Sequence, residues 1–172
     1  MKHELKIEEL HRPDYFRRHC EIVLYLLQLP DLEHPAVKHH VRGAIREASH
    51  HASRGPGYDN KRGAHYMSVG AMKQMEQGDF DGLVGDHLVP VSVLNHMIVS
   101  EVSSTWEGIA QILLTHGARA VITKAEHKLL QELRLHKDMP PNWDRRNPYA
   151  RYKAAGIKLE PNQYQELKQR SG

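Results

Sequence analysis

Pro13 and Pro30 bracket the stretch PDYFRRHCEIVLYLLQL, in which Phe16, Cys20, Val23, Leu24 and Leu27 recur at intervals of one, three and four residues. That period lines apolar side chains along one face of an α-helix. Proline, which lacks a backbone donor and clashes with the preceding turn, suits the first turn of a helix and ends one already formed. The segment is therefore a buried helix, with Cys20 in its apolar stripe and so in the core. Pro35 opens a second stripe through Val37, Val41, Ile45 and Ala48 that runs to about His51. His39, His40, His50 and His51 lie on this second helix. Eleven residues of helix span roughly 16 Å, too far for the two pairs to share an ion, so they read as a surface row.

Beyond His51 the pattern breaks. SRGPGYDNKRGAH, residues 53–65, has three glycines, a proline and no apolar period, and reads as a loop carrying Arg54, Lys61 and Arg62 beside Tyr58. Met67 to Gln77 suits a short helix ended by Gly78. Leu83 to Val89, between Gly82 and Pro90, suits a strand, with a turn or short helix from Pro90 to Val99. Ser104 and Glu107 have the spacing of a capping box for a helix ending near Gly117. Ala120 to Ile122 suits a second strand, and Thr123 with Glu126 caps a helix from Lys124 to about Leu135. A proline-rich link follows. A short helix then opens at Asn147 and Pro148 and closes at Gly156, and a final helix covers about 162–169. Trp106 and Trp143, beside a helix start and the proline link, read as packing anchors.

Composition narrows the classes. The chain has 172 residues, one domain's worth, and no repeat or low-complexity tract. Its longest apolar stretch, Ile22 to Leu27, is far short of the roughly 20 residues of a membrane span, and MKHELKIEELHRPDYF has no apolar signal core, so a cytoplasmic protein is expected. The single cysteine excludes an intrachain disulfide and a cysteine-rich zinc site. Charge is unevenly placed. Lys plus Arg stand against Asp plus Glu as 7 to 2 over residues 35–73, as 1 to 6 over 74–123 and as 11 to 6 over 124–172. Two basic blocks around an acidic middle suit a polyanion held against a metal centre, although ordinary solvated surface gives the same pattern. Fourteen histidines add candidates for acid–base work or metal ligation.

The stretch GDHLVPVSVL, residues 85–94, followed by AVITKAEHKLL, residues 120–130, carries the most chemistry. Asp-His followed by two aliphatics and Pro, then a strand leading into a helix with an early histidine, resembles the HNH, or ββα-metal (His-Me finger), nuclease family over about residues 83–135. The resemblance implies that His87 is the general base and that Asp86 and His127 hold a divalent metal, with Mg²⁺ or Mn²⁺ favoured and Zn²⁺ or Ni²⁺ open. The 40 residues from His87 to His127 make the capped helix between them an insertion. Asn95 and His116 both stand as candidates for the middle position of the H-N-H pattern. Neighbours on a strand point to opposite faces, so Asp86 and His87 could serve one site only if the strand end bends or the phosphate lies between them.

The expectation is a mostly helical α+β chain with a small ββα-metal element embedded among helices. It comprises a helical part over 1–82 with the basic loop 53–65, the ββα core over 83–135 and a basic helical part over 136–172. Its expected activity is metal-dependent endonuclease hydrolysis of DNA. Arg54, Lys61, Arg62, Arg145, Arg146, Arg151 and Lys153 are the expected phosphate contacts. DNA is the expected partner, no membrane is involved, and a homodimer would suit symmetric cutting of two strands. The rival readings are a non-catalytic helical nucleic-acid-binding or regulatory module, with Asp86 and His87 as a structural pair, and a phosphodiesterase with a closed pocket for a small nucleotide.

Overall fold

The computed structural model describes residues 5–53, 61, 63–100 and 105–170. After a 3₁₀ turn at Ile7–Glu9 the elements run α1 (Pro13–Leu27), α2 (Pro35–His51), β1 (Tyr66–Ser68), α3 (Val69–Glu76), β2 (Leu83–His87), α4 (Val91–Ser100), α5 (Trp106–His116), β3 (Arg119–Thr123), α6 (Lys124–Glu132), α7 (Ala150–Ala154), β4 (Leu159–Pro161) and α8 (Tyr164–Arg170). The fold is mostly helical α+β, with one four-stranded mixed sheet in the order β2-β3-β1-β4. The β1/β3 pair is parallel and the two outer pairs are antiparallel. None of the described helices is long and apolar enough to cross a membrane.

Local chemistry accounts for most helix boundaries. Pro13 and Pro35 occupy first helical positions, where a missing N–H costs nothing. Ser68 caps α3 by accepting from the Ala71 amide, and the Thr123–Glu126 pair forms the reciprocal capping box of α6. Thr105 caps α5, accepting from the Gly108 amide. Ser104, the expected cap, lies outside the described residues. Gly117 ends α5 where a Cβ would come within 2.5 Å of the Leu113 carbonyl oxygen, a space only glycine leaves open.

Three apolar clusters hold these elements. Phe16, Cys20 and Val23 of α1 pack with Val41 and Ile45 of α2, Leu94 and Ile98 of α4, and Ile109 and Leu113 of α5, so the N-terminal stripes bury each other. Trp106 and Trp143 pack on the margin of this cluster, as their positions suggested. One face of the sheet carries Leu88, Ala120 and Ile122 against Leu130 of α6 and Tyr152 of α7. The other carries Leu83, Met67 and Val121 against Ala71 and Met75 of α3 and Tyr164 and Leu167 of α8.

Two expectations are corrected. The stretch from Met67 is a strand up to Ser68 and a helix only from Val69, because Tyr66 and Met67 pair with β3 and Tyr66 to Ser68 with β4. The histidines of α2 are not one surface row. His39 and His40 are exposed, but His51 is 5% exposed, stacked on His19 at 4.6 Å between ring centroids, and His50 stacks on His87 at 5.6 Å. The C-terminal turn of α2 is wedged between α1 and the end of β2, which its own sequence does not reveal.

Candidate active site

Asp86 and His87 are the last two residues of β2, paired with Ala120 and Arg119 of β3. Strand alternation sends their side chains to opposite faces. Asp86 shares the face of Leu88 and Ala120, and His87 that of Leu83 and Arg119.

On the Asp86 face the partner is Arg151 of α7, whose side chain is 1% exposed. Its Nε donates to the Leu88 carbonyl at 2.9 Å and its Nη1 to the Leu135 carbonyl at 2.8 Å. Its Nη2 donates to Asp86 Oδ2 and to the His87 carbonyl. Tyr152 donates its hydroxyl to the same Asp86 oxygen at 2.6 Å. Burial, and then the Asp86 charge, push the Tyr152 hydroxyl well above the ordinary tyrosine range, so it stays a donor. A buried guanidinium is costly unless its donors are paired, and here three carbonyls and a carboxylate pair them.

On the opposite face His87 meets the last turn of α2. Its Nε2 lies 3.0 Å from Ser49 Oγ, and its ring stacks on His50 with an interplanar angle of 15°. Arg119 stands directly across the antiparallel pair, so the two side chains are neighbours on one face. Burial is the main cause that pushes the His87 pKa down to about 3, with Arg119, His50, Arg151 and Arg46 adding repulsion. His50 is lowered by the same burial and by Arg119. His87 is therefore a neutral imidazole that keeps part of its surface exposed. A neutral ring of this kind can take a proton from a bound water, while the cations around it attract an anion.

The other expected site residues are dispersed. His127 is half-buried in the first turns of α6, and its Nδ1 faces Gln131 Nε2 at 3.5 Å. Asn95, on α4, lines a shallow groove with Leu32, Lys38, Val41 and Arg42. His116 is buried edge-on against Trp143. Neither Asn95 nor His116 is among the groups that hold Asp86 or His87.

The implied metal does not fit the pair assigned to it. Asp86 Oδ2 already accepts from a guanidinium and a phenol, and the fixed guanidinium would repel a dication at that oxygen. Among the described residues no group of three or more His, Cys, Asp or Glu side chains gathers closely enough to hold an ion.

Of the expected phosphate contacts, Arg145, Arg146 and Lys153 are exposed. Lys61 donates to the Phe80 carbonyl at 3.1 Å. Arg54 and Arg62 lie outside the described residues. Arg151 is a correction, because its guanidinium is the interior anchor of β2 and has no surface to offer a phosphate. Ser49, His50, Arg119 and Tyr152 were not anticipated. For Arg119 the signal was present, as the one cation in an otherwise acidic stretch, inside an expected strand junction. For Ser49 and His50 nothing local distinguishes them from their neighbours.

No protein-family model matches the chain, and no curated protein or solved structure shows significant similarity to it.

Proposed function

We propose that the chain is a nuclease that hydrolyses phosphodiester bonds in DNA, with His87 as the general base. The observation that carries the reading is His87 itself: a neutral, partly exposed imidazole, stacked on His50, held by Ser49 and set across from Arg119. In the reaction a water oxygen forms the new bond to phosphorus and gives its proton to His87. The bond to the leaving sugar oxygen breaks, and that oxygen takes a proton from solvent. The charge building on the phosphoryl oxygens is stabilised by the positive field of the exposed Arg46 and of Arg119, which is 2% exposed and so acts through that field and not by contact. A bound phosphodiester would offset the part of the His87 pKa lowering that comes from these cations, while the larger part, from burial, stays.

Asp86 acts through the backbone. The Arg151–Asp86 clamp fixes the end of β2 from which His87 projects. The exposed cations Arg145, Arg146 and Lys153 would then track the strand away from the reacting bond.

Plasmid nicking by the purified chain tests this, run with Mg²⁺, Mn²⁺, Zn²⁺, Ni²⁺ or EDTA beside His87→Ala. Cleavage that disappears in the variant is expected. Salt-sensitive DNA binding with no cleavage under any of these conditions would replace the reading with a non-catalytic nucleic-acid-binding module, in which Asp86 and His87 serve the fold alone.

A further inference from the structure

We infer that Ser49 is a positioning residue that fixes His87 as the Nε2–H tautomer, so that the lone pair available to accept a proton is on Nδ1. The inference rests on His87 as the base and adds which atom acts and what holds it there.

A serine hydroxyl has one hydrogen and two lone pairs. Ser49 is 1% exposed, so its hydroxyl is out of reach of bulk solvent. Its Oγ lies 2.7 Å from the Arg46 carbonyl oxygen, one turn back along α2, and 3.0 Å from His87 Nε2. A carbonyl oxygen only accepts, so the hydroxyl hydrogen goes to Arg46, as serine commonly does within a helix. Towards His87 the same oxygen can then only accept, and Nε2 must carry a hydrogen. In a neutral imidazole one nitrogen bears hydrogen and the other a lone pair, which leaves Nδ1 as the acceptor. The His50 ring stacks on the same imidazole, with centroids 5.6 Å apart. The arrangement is long-range, from α2 to the end of β2, so the helix that buries the N-terminal core also sets the protonation geometry at the candidate site.

Long-range ¹H–¹⁵N correlation spectra of the full chain labelled in histidine nitrogens read the tautomer directly, with the His87 signals identified by their loss in His87→Gln. A protonated Nε2 and an unprotonated Nδ1 are expected near neutral pH. Ser49→Ala should give a mixture of tautomers and lower kcat for nicking by on the order of tenfold with little change in KM, and Ser49→Thr, which keeps the hydroxyl, should restore both. Where His87→Gln fails to fold, through-bond assignment of the wild-type histidine signals identifies His87, so the wild-type spectrum still decides the matter. An Nδ1–H tautomer in a chain that nicks DNA would overturn the role of Ser49 and leave the nuclease standing. The expected tautomer in a chain without cleavage would uphold the hydrogen-bond assignment and remove the catalytic role.

Discussion

The Arg151 guanidinium binds both the Asp86 carboxylate and the His87 carbonyl, so that a single buried cation from α7 grips the strand end on either side of one peptide bond. Removing one member of a buried, hydrogen-bonded pair leaves the other uncompensated, at a cost of about 3–5 kcal/mol. Arg151→Ala should destabilise the fold by that order in urea unfolding. Arg151→Lys should recover only part of the loss, since an ammonium cannot span the Leu88, Leu135 and Asp86 oxygens together. A change under about 1 kcal/mol for Arg151→Ala would mean that the pair behaves as an exposed one.

Acid should weaken the protein earlier than its carboxylates would require. The folded-state pKa of His87 is about 3, below the roughly 6.5 of an unfolded histidine. The unfolded chain therefore takes up the proton first as pH falls. The stability tied to neutral His87 is complete above about pH 6.5 and is lost as the pH drops towards about 3. His50 and His51, also lowered mainly by burial, act in the same direction. Denaturant midpoints measured from neutral to mildly acidic pH should decline, and His87→Gln should flatten that slope.

Glu126 serves two elements at once. Its carboxylate accepts from the Thr123 amide at 2.8 Å and from the Ser68 hydroxyl at 2.6 Å, joining the caps of α6 and α3 across the parallel strands. Glu126→Ala should cost about 1–2 kcal/mol, the range of a lost cap with an added buried hydrogen bond. Gly70→Ala should also be destabilising, because the added Cβ would sit 2.6 Å from Glu126 Oε1. Thermal unfolding of the two variants and their double mutant should show less than additive loss, since both act on the same carboxylate.

Cys20 should behave as a core side chain. It is 0% exposed, and burial pushes its thiol up to about 12, so almost no thiolate exists near neutrality. Alkylation by iodoacetamide should be undetectable in the native protein and complete after addition of urea. Labelling at the rate of a free thiol in native buffer would place Cys20 outside the apolar cluster of α1 and α2.

The sequence by itself determined the local devices. The stripes of α1 and α2, the prolines at their starts and the Thr123–Glu126 box act within one or two helical turns, and those helices form where the spacing says. The strands around Leu83 to His87 and Ala120 to Ile122 were legible because each is a short apolar run between breakers. β1 and β4 were not, since three residues carry no period and exist as strands only through pairing with neighbours. The candidate site divides the same way. Asp86 and His87 stood out as a pair, but their surroundings depended on partners 65 and 38 residues away in the chain. Tertiary packing alone decided that Arg151 turns inward to hold Asp86, that Ser49 and His50 meet His87, and that Arg119 faces it. The physical reason is range. Caps and apolar periodicity act between residues a few positions apart, whereas a buried charge or hydrogen-bonded imidazole takes its character from whichever elements the sheet register and helix packing bring against it.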